Sequence, residues 1–311
     1  MKKQMAVFAA LVALAACGAG GDQVARLPPT DFNADSAMSY VRAQLAFGAR
    51  VSGSDAAKKT ADWIVARLRT TADTVLEQAW TQSQTAWMNG KSIPMRNIFA
   101  RFRPAMGERV LYVTHWDTRP VSDGETDAAA QKLPIPGAND GASGVALLLA
   151  VADALKKTPP TVGVDLLFVD GEDWGVWGPP NKDVLLGSTY FAEHLGTMPG
   201  GAYTPLYGVL WDMIGDSDLE ILQEHNSMNA APEVVQRVWD KARQFGYDKY
   251  FSQRTTGGIT DDHVPLIKAG LRVIDVIDLT YDCHHKQCDT IDKVSAQSLK
   301  IAGDVAVGLV R

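Results

Sequence analysis

Near its carboxyl end the chain reads YDCHHKQCD, with the neighbours His284 and His285 enclosed by Cys283 and Cys288. Three chemistries fit that window: a thiolate–imidazole zinc knuckle, a disulfide loop, or one histidine ligand carried on a cross-linked loop. A zinc site draws its remaining ligands from other segments. Acidic and imidazole side chains recur at His115 and Asp117, Asp140, the pair Glu172–Asp173, and Asp212. Catalytic zinc takes about three N or O ligands and keeps one position open. Asp140, one carboxylate of the pair and His285 would supply two charges and an imidazole, balancing a divalent ion and leaving it Lewis-acidic. Asp173 is expected to bind the metal. Glu172, with the longer arm, is expected to move protons beside it. His115 and Asp117 are two residues apart and share a face if extended. His115 could therefore bind a second ion, with Asp117 orienting its ring, Asp212 completing the site and Asp140 bridging. Taken singly, each of these residues is as easily a turn, a cap or a satisfied polar group.

The elements around them favour the chemical reading. Residues 34–47 and 55–69 carry apolar positions at helical spacing, with Asp35 and Ser54 as caps. TVLEQAW, NIFARF and RVLYVTHW read as strands, the first two antiparallel about a polar connection at 82–96. Helices and buried strands then alternate: GASGVALLLAVADAL, TVGVDLLFVD, LLGSTYFAEHL, PLYGVLWDMIG, EVVQRVWDKARQFG, LRVIDVIDL and SAQSLKIAGDVAVGLV. That rhythm predicts a three-layer αβα sandwich around a mixed, mostly parallel twisted sheet with an antiparallel edge. In such a sheet the site gathers at the carboxyl ends of the strands, where each of the residues above falls. The chain has neither a GxGxxG nor a Walker loop.

The chain opens with two lysines, a short apolar run and the segment Leu14-Ala15-Ala16-Cys17. This pattern predicts a lipoprotein signal over 1–16, too short for a membrane span. Cys17 is the expected lipidation site, with Gly18 after it pointing to the periplasmic face of the outer membrane. Residues 17–33 would form the tether and 34–311 a single catalytic domain, expected to be monomeric. Loss of residues 1–16 removes two lysines and no acid, moving the net charge from −6 to −8. Such a balance argues against nucleic acid or an anionic membrane surface as partner. With Cys17 assigned to lipid, Cys283 and Cys288 are a lone pair in an oxidising compartment, which favours a disulfide over free or metal-bound thiolates.

The segments THWDT, PGANDGASG, FVDGEDWG, LLGSTYF, WDMIGD, GGITDDH and HKQCDTIDKVS resemble those of the zinc aminopeptidase/glutaminyl cyclase family. The likeness runs from about residue 47 to the carboxyl end. It implies a zinc exopeptidase fold, with Asp140, Asp173 and His285 as zinc ligands and Glu172 as general acid/base. Two-metal aminopeptidases of the family add residues matching His115 and Asp212. In its glutaminyl cyclases one zinc suffices, and residues matching Asp212 and Asp261 form an acidic network beside the substrate.

Three features resemble the cyclase branch. An aromatic loop, WGVWGPPNKDVLLGS, follows Glu172–Asp173, and its Trp177 matches the pocket tryptophan. TDDHVPLIKAG resembles the segment holding the network aspartate, here Asp261. HWDTRP and PGANDGASG are similar to bacterial cyclase-like members. The resemblance thus implies conversion of amino-terminal Gln of peptides to pyroglutamate with release of ammonia, and Trp177 and Trp211 as aromatic walls. The alternative is a zinc aminopeptidase using two ions. The chain departs from the family at His284, where Trp is usual, and at Lys286, where Thr is usual. His284 would then be either a pocket wall or a rival ligand.

Overall fold

The computed structural model describes residues 26–83, 92–198 and 201–311. The signal segment, Cys17 and the first part of the tether lie outside the described residues. In chain order the elements are α1 (Ala34–Leu45), α2 (Asp55–Leu68), β1 (Thr74–Gln82), β2 (Ile93–Phe102), β3 (Arg109–His115), α3 (Ala142–Lys157), β4 (Gly163–Val169) and α4 (Leu186–Glu193). There follow β5 (Tyr207–Asp212), β6 (Ile221–Gln223), α5 (His225–Ala230), α6 (Pro232–Phe245), β7 (Phe251–Thr255), α7 (His263–Lys268), β8 (Val273–Ile277) and α8 (Ala296–Gly308).

Six strands form the central sheet in the order β1-β2-β4-β3-β5-β8. β1, β2 and β4 pair antiparallel, whereas β4, β3, β5 and β8 run parallel. The sheet is therefore mixed and mostly parallel with an antiparallel edge. The parallel strands are buried along their whole length, which is why they read as continuous apolar runs. One face packs its larger core against α1, α2, α3, α6 and α8, through Tyr112, Phe168, Trp211 and Val276 among others. The opposite face packs Phe99, Leu111, Val113 and Leu210 against Phe191 of α4 and Leu266 of α7. These are the three expected layers.

Details differ from expectation. Asn33, not Asp35, caps α1, accepting from the Ser36 N–H at 2.9 Å. Strand β2 begins at Ile93, inside the segment read as a connection. Pro94 there suggests a break, but it points outward while Ile93 and Met95 are buried against Trp174. The short elements β6, α5, β7 and α7 were not anticipated.

The topology puts a crevice where the chemistry is. From β3 the chain crosses to β4 on one side, and from β5 it proceeds to β8 on the other. The order reverses between β3 and β5, and at such a point the carboxyl strand ends open a cleft. His115 ends β3 and Asp212 ends β5.

Candidate metal centre

Asp140 is placed by a loop that the sequence builds with care. Arg50, fully buried, donates to the carbonyls of Pro136 at 2.8 Å and Gly137 at 2.6 Å. Gly137 has φ +71°, and a Cβ there would lie 2.3 Å from Thr118 Cγ2, so only glycine fits. Asp289 then accepts from the backbone N–H of Asn139 (2.8 Å) and Asp140 (3.1 Å), and from Tyr281 Oη at 2.6 Å. These bonds tie the Asp140 loop to the segment that carries His285. On the other side, the Asp117 carboxylate accepts the N–H groups of Glu172 and Asp173, each at 3.2 Å. Asp117 thereby holds the acidic pair; it also lies 3.5 Å from His115 Nδ1, a buried nitrogen with no hydrogen-bond partner among the described residues.

His285 Nε2 stands 3.2 Å from Asp173 Oδ1 and 3.7 Å from Asp140 Oδ2. Neither Asp173 oxygen nor Asp140 Oδ2 accepts a hydrogen bond from the described residues, although all three are buried. Bonds of 2.0–2.2 Å in tetrahedral array put ligand atoms about 3.4 Å apart. Buried, orphaned carboxylate oxygens at that spacing around an imidazole nitrogen fit a divalent ion. A second set also converges: His115 Nε2 lies 3.0 Å from Asp212 Oδ1 and 3.3 Å from Asp140 Oδ1. His115, Asp140 and Asp212 offer ligand atoms within 4.8 Å of one another, as do Asp140, His284 and His285, and His115, Glu172 and Asp173. These clusters suit a zinc site.

The electrostatics separate the two neighbours. Burial raises the Glu172 pKa well above the usual carboxylate range, with the charges of Asp173, Asp261 and Asp262 adding to it. For Asp173, burial is overcome by His285, His115 and Arg119, which hold the carboxyl well below that range. Asp173 therefore stays charged, whereas Glu172 is held toward its protonated form. Burial and the Asp212 charge push Asp261 up to about 6. Burial lowers the His285 pKa, but Asp173, Asp123 and Asp140 reverse this and push it up to about 10. His285 has φ +54°, a left-handed conformation that non-glycine residues adopt only when their surroundings enforce it. The Cys283–Cys288 disulfide, present as expected with Cα atoms 5.4 Å apart, is one such constraint.

A cavity of about 290 Å³ lies over this centre, lined by Glu172, Trp177, Asp212, Asp261 and the two histidines, with Ile259 and Leu279 among its apolar walls. His284 is an exposed wall whose ring sits 3.9 Å from that of His285. Trp211 is a correction. It is fully buried in the larger core, edge-on to Tyr112 at 5.9 Å, and does not line the cavity. Neighbours on a strand point to opposite faces, so placing Asp212 at the site sends Trp211 away from it. A larger cavity of about 640 Å³ beside α2 holds no comparable set, since the carboxylate of its Asp170 is already met by Ser52 and the Arg96 N–H. Sequence reasoning missed Arg50, Asp289 and Asp123. Only Asp289, next to Cys288, carried a positional hint.

The model of peptidase family M28 matches residues 97–310. Among solved structures, a Zn-dependent exopeptidase from Parabacteroides distasonis is 35% identical with a TM-score of 0.83, covering 91% of this chain and 99% of that one. A glutaminyl cyclase from Porphyromonas gingivalis is 35% identical with a TM-score of 0.81, covering 89% and 97%. Aminopeptidase YwaD of Bacillus subtilis is 26% identical over 212 residues, 65% of this chain, but this chain spans only 40% of its length. Fold, clusters and relatives together indicate a zinc-dependent enzyme, and the chain belongs to peptidase family M28, related to the bacterial glutaminyl cyclases and aminopeptidases.

Proposed function

We propose that the protein is a glutaminyl-peptide cyclotransferase, converting amino-terminal Gln of peptides to pyroglutamate with release of ammonia. The observation that carries this reading is similarity at 35% identity to a bacterial glutaminyl cyclase over nearly the whole of both chains. The site supports it. Asp140, Asp173 and His285 would hold one zinc ion, which when bound supplies Lewis acidity toward the side-chain carbonyl. Trp177 would wall the small amide, its indole N–H being buried without an acceptor among the described residues. His284 would form the facing wall. Asp261 Oδ2 is likewise buried and unpartnered, and with Asp212 it would receive the α-amino group.

Glu172 takes a proton from the α-amine as that nitrogen attacks the γ-carbonyl carbon, closing a five-membered ring. It returns the same proton to the departing amide nitrogen, so the carbon–nitrogen bond breaks with ammonia as product. A carboxyl pKa raised by burial suits both halves of that exchange. Holding amine and carbonyl together supplies much of the acceleration, since the attack is intramolecular.

The intact His115–Asp140–Asp212 set favours a second reading, an aminopeptidase with two zinc ions and Glu172 activating water. In both readings peptide amino termini are the substrate. The amino-terminal lysines, the short apolar run and Cys17 support a lipid anchor at the periplasmic face of the outer membrane; no helix among the described residues is long and apolar enough to cross a membrane. The test is ammonia release from a Gln-initiated peptide by zinc-loaded protein, abolished by chelator and restored by zinc. Absence of ammonia from fully loaded protein refutes the proposal.

A further inference from the structure

Asp123 takes no part in the proton chemistry above, yet it touches the histidine proposed to hold zinc. Its Oδ1 lies 3.3 Å from His285 Nδ1, the ring nitrogen not facing Asp173 and Asp140. Asp123 is itself clamped: Arg119 Nε donates to Oδ1 at 2.7 Å and Arg119 Nη2 to Oδ2. The guanidinium is almost fully buried, and its Nη1 donates to the carbonyls of Asp173 (3.1 Å) and Gly175 (3.3 Å). One arginine thus links the carboxylate behind His285 to the backbone of a second proposed ligand, Asp173. The loop carrying Asp123 is also zipped to the His285 loop. The Gly124 N–H donates to His285 O at 3.0 Å, the Gln287 N–H to Glu125 Oε1 at 2.8 Å, and Gln287 Nε2 to Pro134 O at 2.9 Å. A Cβ on Gly124 would fall 2.7 Å from His284 O, so the loops approach this closely only with glycine.

We infer that Asp123, held by Arg119, is a positioning residue that sets the tautomer and orientation of His285. A ligating imidazole must be neutral, with the lone pair of one nitrogen free. A carboxylate accepting from the other nitrogen selects that tautomer and raises the basicity of the ligand. Here it fixes the proton on Nδ1 and presents Nε2 to the ion. The Asp123 side chain is 46% exposed, so solvent screens its charge and its acceptor geometry carries the effect. The inference rests on the reading of His285 as a zinc ligand.

The test measures zinc affinity of the full protein by competition with a chromophoric chelator, together with the visible spectrum after cobalt substitution. Asp123→Ala should bind zinc about 10- to 100-fold more weakly, the range for loss of a partner behind a ligand. Asp123→Asn keeps an acceptor oxygen and should lose less. The cobalt bands should shift in the alanine variant and not in the asparagine variant, and thermal unfolding of the metal-free protein should match the parent in both. Gly124→Ala, which forces the two loops apart, should also weaken zinc binding. His285→Ala separates the two readings. If it binds zinc as the parent does, the ligand assignment fails. If it loses zinc while Asp123→Ala keeps parent-like affinity and unshifted bands, the positioning role is overturned.

Discussion

Replacing Cys283 and Cys288 together by serine should loosen the metal centre while leaving the domain folded. The bridge spans a sequence separation of 5. For so small a ring, the chain-entropy account gives about 2 kcal/mol, acting by limiting the unfolded or opened chain. That quantity bounds two effects. The two larger cores contain neither cysteine, so the unfolding free energy should fall by no more than about 2 kcal/mol. The melting temperature should then drop by roughly 4–8 °C at most. Locally, the metal-free segment gains the same freedom, which zinc binding must remove, and about 2 kcal/mol corresponds to about 30-fold in dissociation constant. Tyr281 Oη still donates to Asp289 at 2.6 Å and Gly124 still holds the His285 carbonyl, so part of the order survives. The expected weakening is about 3- to 30-fold. Chelator competition reads it directly, and thiol titration of the denatured, unreduced parent should find neither cysteine free. Parent-like zinc affinity in the double variant, or two free thiols in active, metal-loaded protein, would rule out this role for the bridge.

Glu172→Gln should keep its zinc and lose about 10²–10⁴ in kcat, whereas Asp173→Ala should lose zinc outright. Metal content measured beside activity reverses the division of labour if the outcomes are exchanged. Trp177→Ala should raise KM by about tenfold, the order of a lost aromatic contact of about 1.4 kcal/mol, while Trp211→Phe should leave KM unchanged and lower the melting temperature. A KM effect from Trp211 alone would contradict its place in the core. Asp170, pushed up to about 8 by burial and the Asp117 charge, keeps its proton in the fold where the unfolded chain has released it above 3.8. The folded state therefore binds more protons through that window, and its stability falls as pH rises from about 4 to about 8. Asp170→Asn should flatten this slope in denaturant titrations at pH 5 and pH 8, and an unchanged slope assigns the dependence to other groups.

Much of the site was legible because of how parallel sheets are made. Strands buried on both faces read as uninterrupted apolar runs, and the polar residue that ends each run, such as His115 or Asp212, marks the carboxyl edge. The residues that hold these groups were less visible. Asp123 lies in the polar stretch VSDGETD, whose composition is that of any surface loop, and its partner His285 is 162 positions away. Arg50 precedes α2 and acts on backbone carbonyls of distant segments, Trp116 after β3 and the loop at 136–140. α7 carries Pro265 within six residues, and β6 has three, too few to express a period. Trp211 was the opposite case: the strand's alternation already assigned it to the face away from Asp212, and the attraction of an aromatic beside the site outweighed that rule.

Glu172 and the proposed Asp140–Asp173–His285 centre should close a ring rather than cut a chain. Gln-initiated and Leu-initiated peptides, incubated with one zinc-loaded sample and weighed by mass spectrometry, test it most directly. The Gln-initiated peptide should lose about 17 Da, the mass of the ammonia expelled in ring closure, while the Leu-initiated peptide stays unchanged. Release of a free first residue from either peptide, without that loss, would contradict it.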